Sequence, residues 1–194
     1  MSITLPSSPI PALRCVEITP DREAGLQRFF EANPDYFIAV NGEPAGPQEA
    51  HEEIHGPLPA GWPYTKKWLI GYLDARGAMV AMANVVTDLL AAGIWHIGLF
   101  IVATERRGSG DAQTLHRGLE AWATSHGAAW LRLGVVRGNV RAERFWQSEG
   151  YLETRTREGI EMGRRVNTVR VMVKPLAGGT LEQYRALVPR DNPG

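Results

Sequence analysis

One cysteine in 194 residues, Cys15, is too few for an intrachain disulfide or a multi-cysteine metal centre. A reducing compartment is the natural setting for such a chain. An excess of charge of one sign is also missing: Lys plus Arg number 21, Asp plus Glu number 21, and the net charge is zero. That excludes a whole-chain electrostatic footprint for nucleic acid or an anionic membrane. The first fifteen residues, MSITLPSSPIPALRC, have no charged start and no long apolar run, and three prolines interrupt them, so no targeting segment is visible. The expected location is cytoplasmic, with neither nucleic acid nor membrane as partner. One apolar stretch, Val85–Ala103, reaches membrane-spanning length but contains Thr87, Asp88 and His96. A central Asp alone costs about 2.5–3.5 kcal/mol in a bilayer. Two buried strands joined by a turn near Leu89–Gly93 fit the stretch better.

What is present is an ordinary globular balance, 44% hydrophobic and 22% charged, long enough for one domain with a sizeable core. Residues 1–11 are rich in Pro and Ser and are expected to be loose. Residues 12–176 form the domain, and 177–194 a tail that adds one more helical turn or stays free. The pattern predicts a strand at Ala12–Thr19, then a helix from about Asp21 to Ala32 opened by Thr19-Pro20. A loop-rich stretch, Asn33–Thr65, holds a short helix near Gln48–His55. Lys67–Asp74 and Ala78–Val86 read as a hairpin around Gly77, followed by a strand at Ile94–Val102. A helix is predicted over Gly110–His126, a strand over Trp130–Val136 and a helix over Asn139–Glu149. Tyr151–Arg157 and Val166–Lys174 close the domain as antiparallel strands. The class is α/β, a mixed sheet in a single domain.

Several motifs fail. Arg106–Gln113 follows a strand and opens a helix, but Gln113 stands where a dinucleotide fingerprint needs a small residue, and no Gly-Lys-Ser/Thr ending makes a phosphate loop of the Walker type. His51-Glu52-Glu53-Ile54-His55 matches the H-E-x-x-H zinc pattern. Gly46-Pro47 and Gly56-Pro57 confine it to a few residues without an apolar flank. A solvated polar turn is expected there, and no metal ligand is assigned.

Two segments carry a resemblance. Arg107-Gly108-Ser109-Gly110-Asp111-Ala112 fits R-x-x-G-x-G/A between a strand and a helix. After the next strand, Asn139-x-x-Ala142-x-x-Phe145-Trp146-x-x-x-Gly150-Tyr151 is similar to an N-x-x-A-x-x-F-Y-x-x-x-G-F segment. With these, the chain resembles the GCN5-related N-acetyltransferase (GNAT) superfamily over about Ala12–Lys174, most strongly at Ile94–Tyr151. The resemblance implies a GNAT-like fold: a mixed, mostly antiparallel sheet flanked by helices, with a splayed parallel strand pair holding the cofactor. It implies acetyl-CoA as cosubstrate and direct transfer of the acetyl group to an amine in a ternary complex. The acceptor would be a small molecule or a peptide, and a homodimer is allowed. The rival reading is a non-catalytic acyl-CoA-binding or regulatory module on the same fold.

The loop has a physical rationale of its own. A helix N-terminus leaves backbone N–H groups unpaired and carries about half a positive charge. Gly108 and Gly110 let a pyrophosphate approach that backbone, and Arg107 adds a cation. The same residues also read as a Gly-rich turn with Ser109 as N-cap. Asp111 suits the helix dipole but repels phosphate, so its side chain is expected in solvent. The resemblance further implies that Ile101 and Val102 offer backbone hydrogen bonds to the cofactor and that Asn139 contacts its pantetheine side. Backbone amides of Ile94–Val102 would stabilise the oxyanion.

Family members often carry a Glu or His as general base at the position of His96, eleven residues before Arg107, so the resemblance implies that role here; the residue also reads as a strand histidine satisfied by a core hydrogen bond. His116 and His126, on the following helix, are expected at the surface, and Cys15 as a small core residue. Trp146 replaces the family's usual tyrosine acid. An indole cannot deliver a proton at neutral pH, so Trp146 is expected to pack on the cofactor arm or to hydrogen-bond the sulfur without titrating. In the family the acceptor is bound by segments that correspond to Asn33–Thr65 and Arg157–Arg165. Tyr36, Glu43, Glu49, Glu52, Glu53, Trp62 and Tyr64 either hold a cationic amine there or belong to a solvated loop.

Overall fold

The computed structural model describes residues 3–193. Seven strands form one sheet in the order β1-β2-β3-β4-β5-β7-β6. They are β1 (Arg14–Glu17), β2 (Lys66–Leu73), β3 (Met79–Thr87), β4 (Ile94–Val102), β5 (Trp130–Val136), β6 (Leu152–Met162) and β7 (Arg165–Pro175). Every neighbouring pair is antiparallel except β4 and β5. The helices are α1 (Glu23–Ala32), α2 (Asp35–Asn41), α3 (Glu49–His55), α4 (Asp111–Ser125), α5 (Val140–Ser148) and α6 (Leu181–Leu187). Among the described residues no helix is long and apolar enough to cross a membrane. The apolar stretch 85–103 divides between two strands around a turn, in which the Asp88 carboxylate accepts hydrogen bonds from Gly93 N (2.8 Å) and Thr65 Oγ1 (2.9 Å).

The central feature is a bulge. On β3, Val85 pairs with Ile97 and Asn84 with Leu99, which leaves Gly98 as the extra residue on β4. A bulge bends the strand that carries it. The parallel β4–β5 ladder runs only from Ile94↔Trp130 to Ile97↔Leu133. Beyond that point the two strands have no partner across the gap. The bulge also reverses which face later residues occupy. Trp95 and Ile97 lie with Phe100 on one face, whereas His96 and Leu99 lie on the other. On the first face α4 packs through Trp122, whose ring meets Trp95 at 4.9 Å and Trp68 at 5.8 Å between centroids. On the other face α1 contributes Leu26, Phe29 and Phe30, spaced to one helical side and all buried.

The N-terminal segment differs from expectation, whereas the tail takes the helical one of its two readings. Residues 3–10 lie against the core instead of standing free. Ile3, Leu5 and Ile10 pack on it, and the Thr4 carbonyl accepts a 2.7 Å hydrogen bond from Trp122 Nε1. Pro9 seats on Gly118, where a Cβ would come within 2.8 Å of its ring. Met1 and Ser2, part of the segment expected to be loose, fall outside the described residues. The tail forms α6, opened by a capping box between Thr180 and Gln183. It buries Tyr184 and delivers Asp191, 1% exposed, to Arg132 on β5. That contact is bidentate: Nε to Oδ2 at 2.7 Å and Nη2 to Oδ1 at 3.0 Å, with Tyr184 Oη donating to Oδ2 at 2.6 Å. Burial alone would raise the Asp191 pKa, but the Arg132 and Tyr184 hydrogen bonds outweigh it and hold the carboxyl below its ordinary range.

Arg132 is itself 3% exposed, so removing its partner strands a charge inside the protein. Asp191→Ala should therefore cost about 3–5 kcal/mol, read as a fall in the urea midpoint without a change in slope. A loss below about 1 kcal/mol would show that the tail does not anchor β5.

Candidate active site at the parting strands

Two cavities meet where β4 leaves β5. The first, about 180 Å³, is lined by Ile101, Val102, Arg107, Ala112, Asn139 and Trp146, together with Phe100, Phe145 and Arg141. The structure thus brings together six of the residues singled out for cofactor contact. The other four, Gly108, Ser109, Gly110 and Asp111, form the loop that leads into α4. Gly108 and Gly110 have φ of +78° and +86°, and a Cβ on either would meet nothing within 4 Å. Side chains are kept off this backbone by the left-handed conformation, which favours glycine. Among the described residues, the amides of Gly108, Ser109, Gly110, Ala112 and Gln113 have no hydrogen-bond acceptor. They make an anion-binding concavity at the helix N-terminus.

Three details of the loop depart from expectation. Gly110, not Ser109, occupies the N-cap; Ser109 Oγ donates to the Arg106 carbonyl and accepts from Asp111 N. Asp111 does not point freely into solvent, because its carboxylate pairs with Arg106 at 2.6 Å and is 18% exposed. The neighbouring cation offsets the repulsion it would exert on a phosphate. Arg107 bonds Asp35 on α2, so the loop is tied to a helix that sequence patterning did not show. Arg141, two residues past Asn139, adds a further cation to the same cavity. Partial burial lowers its pKa, and the nearby charge of Arg107 lowers it further.

Asn139 caps α5 by accepting from Ala142 N at 3.3 Å. Trp146, 8% exposed, is wedged among Phe100, Phe145, Tyr151 and His116, with centroids 4.8–6.0 Å away. His116 is fully buried, not at the surface. Its Nδ1 lies 3.2 Å from Glu149 Oε2 and its Nε2 3.0 Å from Tyr151 Oη. Burial lowers its pKa despite the carboxylates of Glu120 and Glu149. A polar knot thus stands behind the aromatic wall and fixes it.

The second cavity, about 260 Å³, shares Tyr36, Phe100, Asn139, Ala142 and Trp146 with the first. It continues past Gly98 and Leu99 to His96, Trp62, Arg132 and Arg157. His96 lines this cavity, and its surroundings disfavour a protonated imidazole. Burial and then the positive charge of Arg132 push its pKa down to about 3. Arg132 Nη1 lies 3.3 Å from Nδ1. A guanidinium only donates, so Nδ1 accepts and the neutral ring carries its proton on Nε2. Of the segment expected to hold a cationic amine, Tyr36 and Trp62 line the cavity, but none of the glutamates does. Glu43 pairs with Arg164, Glu49 accepts from Gly46 N, and Glu53 accepts from Asn84.

Two other candidates lie elsewhere. On α3, His51 Nδ1 and His55 Nε2 stand 3.2 and 3.5 Å from Glu23 Oε2, in a half-exposed cluster that ties α3 to α1 and lies outside both cavities. Cys15 is half-buried on β1, and burial pushes its thiol up to about 11, which leaves little thiolate.

Known proteins agree with this geometry. A model of the acetyltransferase (GNAT) family matches residues 20–151. No protein of curated function matches significantly. An acetyltransferase from Thermus thermophilus superposes with TM-score 0.63 at 21% identity, over 84% of this chain and 97% of that one. Spermidine N-acetyltransferase from Vibrio cholerae, in complex with CoA and spermine, gives 0.64 at 16% identity over 87% and 98%. The ribosomal-protein-S18-alanine N-acetyltransferase of Escherichia coli gives 0.62 at 13% identity over 87% and 96%.

The buried His116 and the partly buried His96 predict a pH response. Both have folded pKa values below the unfolded value of about 6.5, so the unfolded chain takes up protons first. Their contribution to stability is complete above about pH 6.5 and is lost as pH falls toward the folded values. His96 alone should remove about 1.4 kcal/mol per pH unit below 6.5. Urea midpoints measured from neutral pH to about pH 5 should fall accordingly, and His96→Gln should flatten the slope.

Proposed function

Because the chain belongs to the acetyltransferase (GNAT) family, whose members take their acetyl group from acetyl-CoA, we propose that its two joined cavities carry out direct acetyl transfer to an amine in a ternary complex. The observation that carries this reading is the shared wall at Trp146. A cofactor arm in the first cavity and an acceptor in the second would meet there without a covalent enzyme intermediate. The residues fit acetyl-CoA: unpaired amides, side-chain-free glycines and the cations Arg107 and Arg141 suit a pyrophosphate, and Ile101, Val102 and Trp146 suit an apolar arm. Acetyl-CoA supplies the activated thioester carbonyl. This chain's part is chiefly alignment of amine and thioester. Amides on the unpartnered edge of β4 beyond Ile97 are available to the carbonyl oxygen.

The proton inventory follows from the walls. His96, with its proton on Nε2, acts as a hydrogen-bond donor rather than as a base, and the acceptor amine gives its proton to water. Trp146 packs and does not titrate. Tyr36 is a wall of both cavities, and burial, reinforced by the charges of Glu53 and Glu49, raises its pKa so that it stays protonated. It is the phenol placed to donate toward the departing thiolate.

Gly110→Glu tests cofactor placement. It forces a Cβ into φ +86° and adds an anion where the amides converge, so acetyl-CoA affinity measured by calorimetry should fall about tenfold or more. Unchanged affinity would remove the loop from the site. Thiol release from acetyl-CoA with a panel of amines then separates an enzyme from a binding module. In that assay Tyr36→Phe should lower kcat by about 10- to 100-fold with acetyl-CoA affinity intact. His96→Gln, which keeps a donor, should retain most turnover; a loss of 10²-fold or more, of the order that removal of a general base brings, would return the base role to His96.

A further inference from the structure

The second cavity is cationic. Arg132 and Arg157 line it, and no Asp or Glu does. On the sheet, Arg132, Gly134 and Val136 of β5 pair with Val173, Val171 and Val169 of β7, and Val169 pairs with Arg157 of β6. Paired residues share a face, so both arginines project to the same side as His96. Arg190, from the tail, places its guanidinium 4.3 Å from the centre of the Trp62 ring, while Arg132 lies 5.5 Å from it. Trp62 thus has two guanidinium groups within about 6 Å of its ring centre.

One of these charges is matched. Asp191 neutralises Arg132 through two hydrogen bonds and has no further oxygen to offer. Among the described residues Arg157 forms no ion pair or side-chain hydrogen bond, and Arg190 none through its side chain. Among the described residues the charges that act on Arg157 are those of Arg190, Arg132 and Arg155, with Asp191 as the one carboxylate. A cavity wall with surplus positive charge and a planar stacking ring disfavours a polycationic acceptor through like-charge repulsion. It matches an oxyanion, which a guanidinium fork binds with two parallel hydrogen bonds.

We propose that the acceptor is an amine bearing an oxyanion, a carboxylate or a phosphate, which Arg157 receives in the second cavity with Arg190 nearby. The amine then faces the gap between β4 and β5. This assignment rests on the acetyl transfer proposed above. It makes Arg157 the residue that sets acceptor specificity, and it reverses the sign of the charge expected of the acceptor from its glutamate-rich loop.

Paired acceptors test it in the thiol-release assay. β-Alanine is set against ethylenediamine, glycine against glycinamide, and O-phosphoethanolamine against ethanolamine. The acid of each pair should have kcat/KM about 10- to 100-fold above its partner, the range for charge-assisted hydrogen bonds. The pair with the widest ratio tells carboxylate from phosphate. Arg157→Gln should collapse the ratio, Arg157→Lys should restore part of it, and Arg157→Glu should invert it. A wild-type preference for the diamine, or a ratio that survives Arg157→Gln, overturns the inference. If no amine releases thiol, the transfer reading fails by itself. Calorimetric binding of the same pairs to the CoA-loaded protein then decides the acceptor class, with equal affinity within each pair counting against it.

Discussion

One residue too many on β4 governs this molecule. Gly98 has no counterpart on β3, and the bend it introduces separates β4 from β5 after four paired positions. A continuous sheet would bury that edge in ladder hydrogen bonds and leave no room for ligands. The parted edge instead exposes backbone donors and acceptors beside two apolar strands. Every candidate site residue is placed by reference to that gap. Ile101 and Val102 lie on its β4 side, Asn139 and Trp146 on the helix that follows β5, and Arg107 at the mouth. The bulge also switches the facing of β4, which lets His96 point toward the second cavity while Phe100 joins the aromatic wall.

Parting two strands in the middle of a sheet removes cooperative support, and the surroundings compensate. Behind the gap, Trp146 leans on His116, which Glu149 and Tyr151 hold from both sides. On the opposite flank, β5 is secured by Arg132 and the buried Asp191 from the tail. The N-terminal residues clasp α4 through Thr4 and Pro9. Peripheral segments therefore hold the walls of the site at a fixed separation, which alignment of two substrates demands.

Much of the fold was legible because its signals are local. The strands Ile94–Val102 and Trp130–Val136 have the bounds that their β-branched runs suggest, and α4 and α5 fall within a residue of their Asn and Gly punctuation. The loop Arg107–Ala112 and Asn139 were legible for the same reason. What escaped depends on pairings distant in sequence. Helix α2 is seven residues behind a proline in a loop-rich stretch, too short for a periodic signal, yet it supplies Asp35 and Tyr36. His116 looks like a surface residue until Glu149 and Tyr151, more than thirty residues away, are brought to it. The setting of Arg157 is invisible in a strand of alternating charge, since only the fold brings it to a cavity lined by no Asp or Glu.

The bond between Arg107 and Asp35 joins the loop to the helix that carries Tyr36. An anion seated on the loop draws on the same guanidinium that anchors α2, and Tyr36 is a wall shared by both cavities. Occupancy of one cavity and the shape of the other are therefore not independent variables. Thermodynamic linkage makes such a dependence mutual: whatever affinity the first ligand lends to the second, the second returns in equal measure. Through a single ion pair this fold ties the loop at one cavity to the helix that walls both.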